Sequence, residues 1–507
     1  MEPSPVSPEP TRGPEPLDRA VCWLGWALVL AAVVCATLAR IAIRHAGPDV
    51  DSDGVRHASI ASMVALDWRN AQVHWVWLPG WHFIGALFVR AGGGIEHVRT
   101  VNTILGALPP VVLTRSLQLA LRACPLAAPW MRTPEQLVPY VAGALLALSP
   151  IGLVLGASAQ PEVLFQLVIL GACMAHQAQR FVATGLLLTV AVLLRYEAWV
   201  LLPVFAGLDA LRRPRRAPAV ATWALPMSAI VAWTLWHRDT THEWLQFLRV
   251  NREYVRDAHA RYRFPWAVDR GVIDSLLRYT WRVPESHVLG SAIVLVVPGL
   301  AWVAQRTSRV FRSVFTVLLA FVTYAWVRRL HLGLARHAFA TAPLFAVAAA
   351  ATACVLPAWL ARRLARNGAR MALLAAITGG LAVLGSMAFA TSLPAYRYER
   401  ARCAAAYRVE LRVAAVLRAQ AGPSAGKIYC DEAMIEIFSE LAPERMDRSG
   451  DAYLTPYHVR AGARRYGFAL VATAAERARA LRPVMRTVYE EGPYVVLRLD
   501  ATDLDAR

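Results

Sequence analysis

The stretch GPDVDSDGVRHASIA, starting at Gly47, sets Asp49, Asp51 and Asp53 directly after a long apolar block. A carboxylate held at a membrane edge can serve as a general base toward a hydroxyl or as a ligand to a hard cation. Asp and Gly are also ordinary turn residues, and an acid is favoured at a helix start by the backbone dipole. Glu162 in SAQPEVLF is a second acid, one residue after Pro161, and carries the same two readings. Arg195 and Glu197 in LLRYEAW fall inside an apolar segment, where ionisable groups are costly and face a cavity or each other. Two positions apart, they do not face each other along a helix. Arg328, Arg329, His331, Arg336 and His337 form a basic group in VRRLHLGLARHAFATAP. Such a group suits the oxygens of a phosphate or of anionic headgroups. His74, Trp75, Trp77, Pro79 and Trp81 in HWVWLPGW offer either a platform for a sugar or interfacial anchors.

The elements that must position these residues are membrane helices. Of 507 residues, 57% are hydrophobic and 18% charged, with mean hydropathy +0.39, and the apolar residues come in blocks of about 20. That excludes one soluble domain, and the lack of alternation excludes a barrel. The net charge of +19 sits mainly in short loops between blocks. It points to cytoplasmic anchoring and contact with membrane lipid rather than to nucleic acid. The seven cysteines show no metal-binding spacing. Cys403 and Cys430 share the tail and either pair there or stand as two small buried residues. No internal repeat supports an inverted-repeat transporter.

The Pro-rich residues 1–20 form a disordered cytoplasmic N-terminus, and the block after them is expected to remain as an anchor. Spans are expected near 21–43, 99–121, 137–157, 161–179, 217–237, 287–305, 310–327, 338–357 and 371–391, with a hairpin of two half-length helices in 183–209 meeting near Arg195. Residues 74–93 then lie on the outer surface, because this keeps the five basic loops on the cytoplasmic side. The fold class is an all-α polytopic membrane protein of about eleven transmembrane helices, spanning 21–392. Its first extracytoplasmic loop is 44–98 and its large one 237–286. After it, 393–507 forms an extracytoplasmic linker helix, from about Ala395 to Gln420, and a small α/β domain. There GKIYCDEA, GFALVATAAERARAL and GPYVVLRLD alternate strand and helix patterns, and Thr473–Glu476 reads as a capping box.

The order of these motifs resembles the GT-C glycosyltransferases, in particular protein O-mannosyltransferases and lipid A aminoarabinose transferases. DSDGVRHASIA stands where that clan has an acid after its first span. HWVWLPGW stands where it has His-Pro-Pro-Leu, with one Pro missing. RTVNTILG, SAQPE, LLRYE and RHAFATAP follow in the clan's order. The resemblance covers roughly residues 20–390. It implies Asp53 as catalytic base, with Asp51 as runner-up and Glu162 as the second acid. Arg195 and Arg336 then bind the donor phosphate together with Arg329 and His337, and His74, Trp75, Trp77 and Glu197 bind substrate. The implied donor is a sugar on a polyprenyl phosphate, and the acceptor a glycolipid, glycan or protein. The implied location is the bacterial inner membrane, with the site facing outward. The resemblance leaves a divalent cation, Mg²⁺ or Mn²⁺, open. A flippase for a polyprenyl-linked lipid, or a non-catalytic scaffold, would use some of the same features.

Overall fold

The computed structural model describes residues 16–504 except 50–51, 70, 75, 124–130, 213–215, 262–271, 333, 365–368, 423–425, 431–432, 440, 442–444, 448–462 and 464–467. The first apolar block is one helix, α1 (Pro16–Ala46). The segment that follows forms two short helices, α2 (Ser52–Leu66) and α3 (Gly80–Arg90). Next come α4 (Ile95–Leu105), α5 (Leu108–Ala123), α6 (Arg132–Ala147), α7 (Pro150–Ala157), α8 (Glu162–Gln177), α9 (Phe181–Leu194), α10 (Leu201–Arg212), α11 (Arg216–Thr241) and α12 (Gln246–Arg261). After these lie α13 (Val272–Leu277), α14 (Val296–Arg306), α15 (Arg309–Val327), α16 (Ala342–Leu364), α17 (Ala369–Ala405), α18 (Arg408–Ala421) and α19 (Ala433–Ser439).

The bundle centres on α6 and α16, which pack on each other, with α1 and α5 against α6 and with α14 and α17 against α16. Small residues permit that approach: Ala346 through Ala351 are buried on α16, and a Cβ at Gly299 would overlap the Ala348 carbonyl.

Among the described residues, six helical stretches are long and apolar enough to cross a bilayer, and the bent pair α6–α7 (53° at the break) makes a seventh. The expected eleven is not reached on that measure. α8 and α9 have 16 and 14 residues, about 24 and 21 Å at 1.5 Å each, short of the roughly 30 Å of hydrocarbon. The fold is still that of a multi-pass membrane protein. In the expected hairpin, α9 and α10 flank a break at Arg195.

The tail differs from expectation in two places. α17 runs on to Ala405, and the chain breaks at Tyr407, which is left-handed (φ 53°), so the linker helix begins only at Arg408. Thr473 is the penultimate residue of a strand, and the helix after it is a single turn capped by Ala474 rather than by a capping box. The strands are β1 (Lys427–Cys430), β2 (Met446–Asp447), β3 (Phe468–Ala474), β4 (Arg486–Glu491) and β5 (Tyr494–Asp500). They form one sheet in the order β2-β1-β3-β5-β4, parallel over its first three members and antiparallel over the last three. Cys403 packs with Ile43 and Ala157 while Cys430 lies in the sheet's core, so no disulfide joins them. α18 and α19 cover one face of the sheet, and Val55 of α2 is buried in that same cluster. The tail therefore clamps the helix that carries Asp53.

Candidate active site

Two loops are fixed first. Asp49 accepts a hydrogen bond from the Ala159 N–H at 2.6 Å, and a Cβ at Gly54 would overlap the Asp49 carboxylate, which explains the glycine there. Arg99, almost fully buried, donates to the carbonyls of Ala157 (2.9 Å) and Gly47 (3.0 Å). Asn102 donates to those of Ser158 (2.7 Å) and Gln160 (2.6 Å), and Trp81 to that of Ala159 (2.7 Å). The Arg and Asn of RTVN thus hold backbone rather than substrate. They lock residues 157–160 to the turn after α1, so Asp53, in the first turn of α2, and Glu162, at the start of α8, face the same space.

Arg195 is the single extended residue (φ −149°, ψ 142°) between α9 and the 3₁₀ turn Tyr196–Ala198. Because it is not helical, it reaches the residue two positions on, which a regular helix would forbid. It donates to Glu197 at 2.7 Å, to His337 Nδ1 at 3.0 Å, and to Glu162. Arg336 lies in the 3₁₀ segment Ala335–Thr341 that precedes α16. It pairs with Asp53, 283 positions away, and its Nε is 3.8 Å from Glu162. Burial alone would raise the Asp53 carboxyl, but Arg336, by charge and hydrogen bond, together with His57 and His337 outweighs burial and holds it below the ordinary carboxylate range. Three carboxylates and two guanidinium groups therefore close one network on a cavity of about 410 Å³, lined in addition by Trp77, Tyr196 and His337.

The structure brings together Asp53, Glu162, Arg195, Glu197, Arg336, His337 and Trp77. It does not bring in Arg329, which is exposed and left-handed (φ 54°) beyond the end of α15, outside the cavity wall. His74 is fully buried and stacked on His82, so it does not reach the cavity as a substrate contact would. Asp51 and Trp75 lie outside the described residues. Sequence reasoning missed His57, one turn beyond Asp53 on the same helix, and the wall supplied by Asn251, Arg252 and Tyr254 of α12. The signal for the first was present: positions four apart share a helix face. Among the described residues no three His, Cys, Asp or Glu side chains are placed to share a metal ion, and Asp53 and Glu162 are both turned onto arginines.

A polytopic bundle with short helices after its first long one, an ionic cavity at their edge and a small sheet domain after the last long helix has the fold of solved GT-C structures. The structure of ArnT from Cupriavidus metallidurans bound to undecaprenyl phosphate matches with a TM-score of 0.61 at 15% identity, covering 94% of this chain and 98% of that one. Its apo state matches at 0.57 and 14%, covering 96% and 99%. The apo oligosaccharyltransferase of Archaeoglobus fulgidus matches at 0.50 and 11%, covering 88% and 70%. No protein-family model matches the chain, and no curated protein matches it by sequence. At these identities the likeness is one of fold.

Proposed function

We propose that this protein transfers a sugar from a polyprenyl-phosphate donor to an acceptor hydroxyl on a glycolipid, glycan or protein, at the outer face of the bacterial inner membrane. The observation that carries the reading is the pairing of Asp53 with Arg336 in one cavity, next to Glu162, Arg195 and Glu197. The ArnT structure with undecaprenyl phosphate supports a lipid-linked donor on this fold.

In the resting site Arg336 neutralises Asp53. An incoming phosphodiester is a better-matched partner for a guanidinium fork, so donor binding draws Arg336 off the carboxylate and leaves Asp53 free. Asp53 then accepts the acceptor's hydroxyl proton as the oxygen attacks the anomeric carbon, a contribution of about 10²–10⁴-fold. The bond to the phosphate oxygen breaks on the opposite side, so configuration inverts. Arg336 stabilises the charge the phosphate gains. Arg195 holds Glu162 and Glu197 and so keeps the wall rigid.

The test is release of polyprenyl phosphate from a panel of short-chain polyprenyl-phosphate sugars by the purified full chain, followed by ³¹P NMR, with thiol-labelling of single cysteines at 53 and 336 in intact cells. Release, with both positions labelled from outside, is expected. No release from any sugar in the panel, or labelling of the two positions from opposite sides, would overturn the reading.

A further inference from the structure

A set of imidazoles runs away from the cavity and takes no part in its ion pairs. His57 lines the cavity and shares the helix face of Asp53. Its Nδ1 meets His82 Nε2 on α3 at 2.8 Å, and the other nitrogen of that ring, Nδ1, meets His74 Nδ1 at 2.7 Å. His82 and His74 are fully buried, so water does not compete for their ring nitrogens, and His57 is 4% exposed at the cavity wall. Filling that space needs no polar ring. Phe83, Trp77, Trp233 and Trp236 already pack around it, and a buried polar group is costly unless its bonds are made.

The chain of bonds fixes the protons. A neutral imidazole carries one N–H, so each bond must run from a protonated nitrogen to a bare one. At the far end His74 Nε2 is buried and, among the described residues, has no hydrogen-bond partner. Beside it lies Trp233, edge-on at 5.5 Å, whose equally unpartnered Nε1 can only donate. Trp233 also meets His237 edge-on at 5.1 Å, so the choice between the two directions of the chain falls at its other end, where the Asp53 carboxylate draws the proton toward His57 Nε2 and thereby leaves His74 Nε2 bare. His74 Nδ1–H then donates to His82 Nδ1, and His82 Nε2–H donates to His57 Nδ1. His57 is left with its proton on Nε2, its one uncommitted nitrogen, at the cavity wall. Burial holds His57 neutral, pushing its pKa down to about 3 against the pull of Asp53, while Arg336 and Arg195 across the cavity act in the same direction as burial.

We propose that His57 Nε2–H donates a hydrogen bond to the oxygen of the acceptor hydroxyl whose proton Asp53 takes, and that His82 and His74 are positioning residues that lock His57 in this tautomer. The inference rests on the transfer reading above. A hydroxyl has one proton and two lone pairs. Its proton goes to Asp53, one lone pair is held by His57, and the second is aimed at the anomeric carbon. As that pair forms the new bond, the bond to phosphate breaks and its electrons leave on the phosphate oxygen, with the hydroxyl proton on Asp53.

Two measurements test this on the full chain in nanodiscs. The first is ¹⁵N NMR of histidine-labelled protein, with His57 assigned by its loss in His57→Gln. The wild type is expected to show a protonated Nε2 and a bare Nδ1 at His57, and His82→Phe to show a mixture of tautomers. A protonated Nδ1 in the wild type, or an unchanged His57 signal in His82→Phe, would overturn the tautomer lock. The second is sugar transfer to octyl glucoside as probe acceptor, using the best donor from the release panel. His57→Phe is expected to lower kcat/KM for the probe about 10-fold with donor KM within about twofold. His82→Phe should give the same pattern, and His82→Gln, which keeps a donor toward His57, should restore most of it. Equal losses toward donor and acceptor, or no loss, would sink the role of His57. A wild type that transfers nothing would instead sink the transfer reading, and the tautomer result would stand apart from it.

Discussion

The cavity and the C-terminal domain use the same kind of ion pair in opposite settings. Arg195 and its partners Glu162 and Glu197 have side chains 12%, 3% and 11% exposed, whereas Arg412 and Glu491 stand at 54% and 28% on the outside of the sheet domain. In the second setting water replaces a lost partner, and exposed pairs of this kind contribute little. In the first, removing one member strands a charge in a poor solvent. Ion pairs in the tail thus decorate a fold held by apolar packing, while those in the cavity define which side chains are available to a ligand.

Four expectations break or sharpen that contrast. The largest is on chemistry: Asp53→Asn should cut transfer by at least about 10²-fold, read as the rate of polyprenyl phosphate release, with the protein still folded. Near-normal release would remove the base role. Next, Arg195→Ala should destabilise the chain by about 3–5 kcal/mol, measured as a shift in the denaturation midpoint in detergent, because Glu162 and Glu197 lose their common partner. A neutral result would mean that cavity and tail pairs are alike.

The third expectation concerns acid. His57 and His74 are held at about 3 by burial, and His82 well below its ordinary value, so the native chain stays neutral where the unfolded chain, with ordinary values near 6.5, takes up protons. Stability should therefore fall as pH drops from about 6.5 toward 3. The tail responds less. Hydrogen bonds from Arg412 and Tyr489 hold the Glu491 carboxyl at about 2, but the group stands in water, so its protonation changes stability little. Melting followed by tryptophan fluorescence should show the histidine region loosening first, since Trp77 and Trp233 lie against it. The smallest effect is Arg412→Ala, expected to leave both melting temperature and transfer unchanged within error.

The multi-pass helical class was legible in the sequence because apolar block length is a direct consequence of the bilayer. The break at Arg195 could be read from a charged pair in too short an apolar run, and Asp53, Glu162, Arg195 and Arg336 from their order along the chain. Their mutual contacts span up to 283 positions, so which acid pairs with which arginine had to come from packing. Arg329 was grouped with the cavity arginines because a basic cluster in sequence does not show that the chain turns at that residue, which is left-handed, exposed and apart from the cavity lining. His82 was invisible because a lone histidine among GWHFIGALF reads as an ordinary core residue, and only the neighbouring rings of two other elements give it a role. Arg99 and Asn102 were recognised as a motif, but the atoms they hold are main-chain carbonyls, which no residue pattern names.

That last detail has an evolutionary consequence. Every residue type carries the same carbonyl, so the bonds from Trp81, Arg99 and Asn102 do not read which side chains stand at 157–160. Change there is limited by the buried space around these residues and by the N–H that Asp49 accepts from, whereas change in the four anchors removes the bonds themselves. Among small side chains that fit, the segment can vary over long divergence and still deliver Glu162 to the same point.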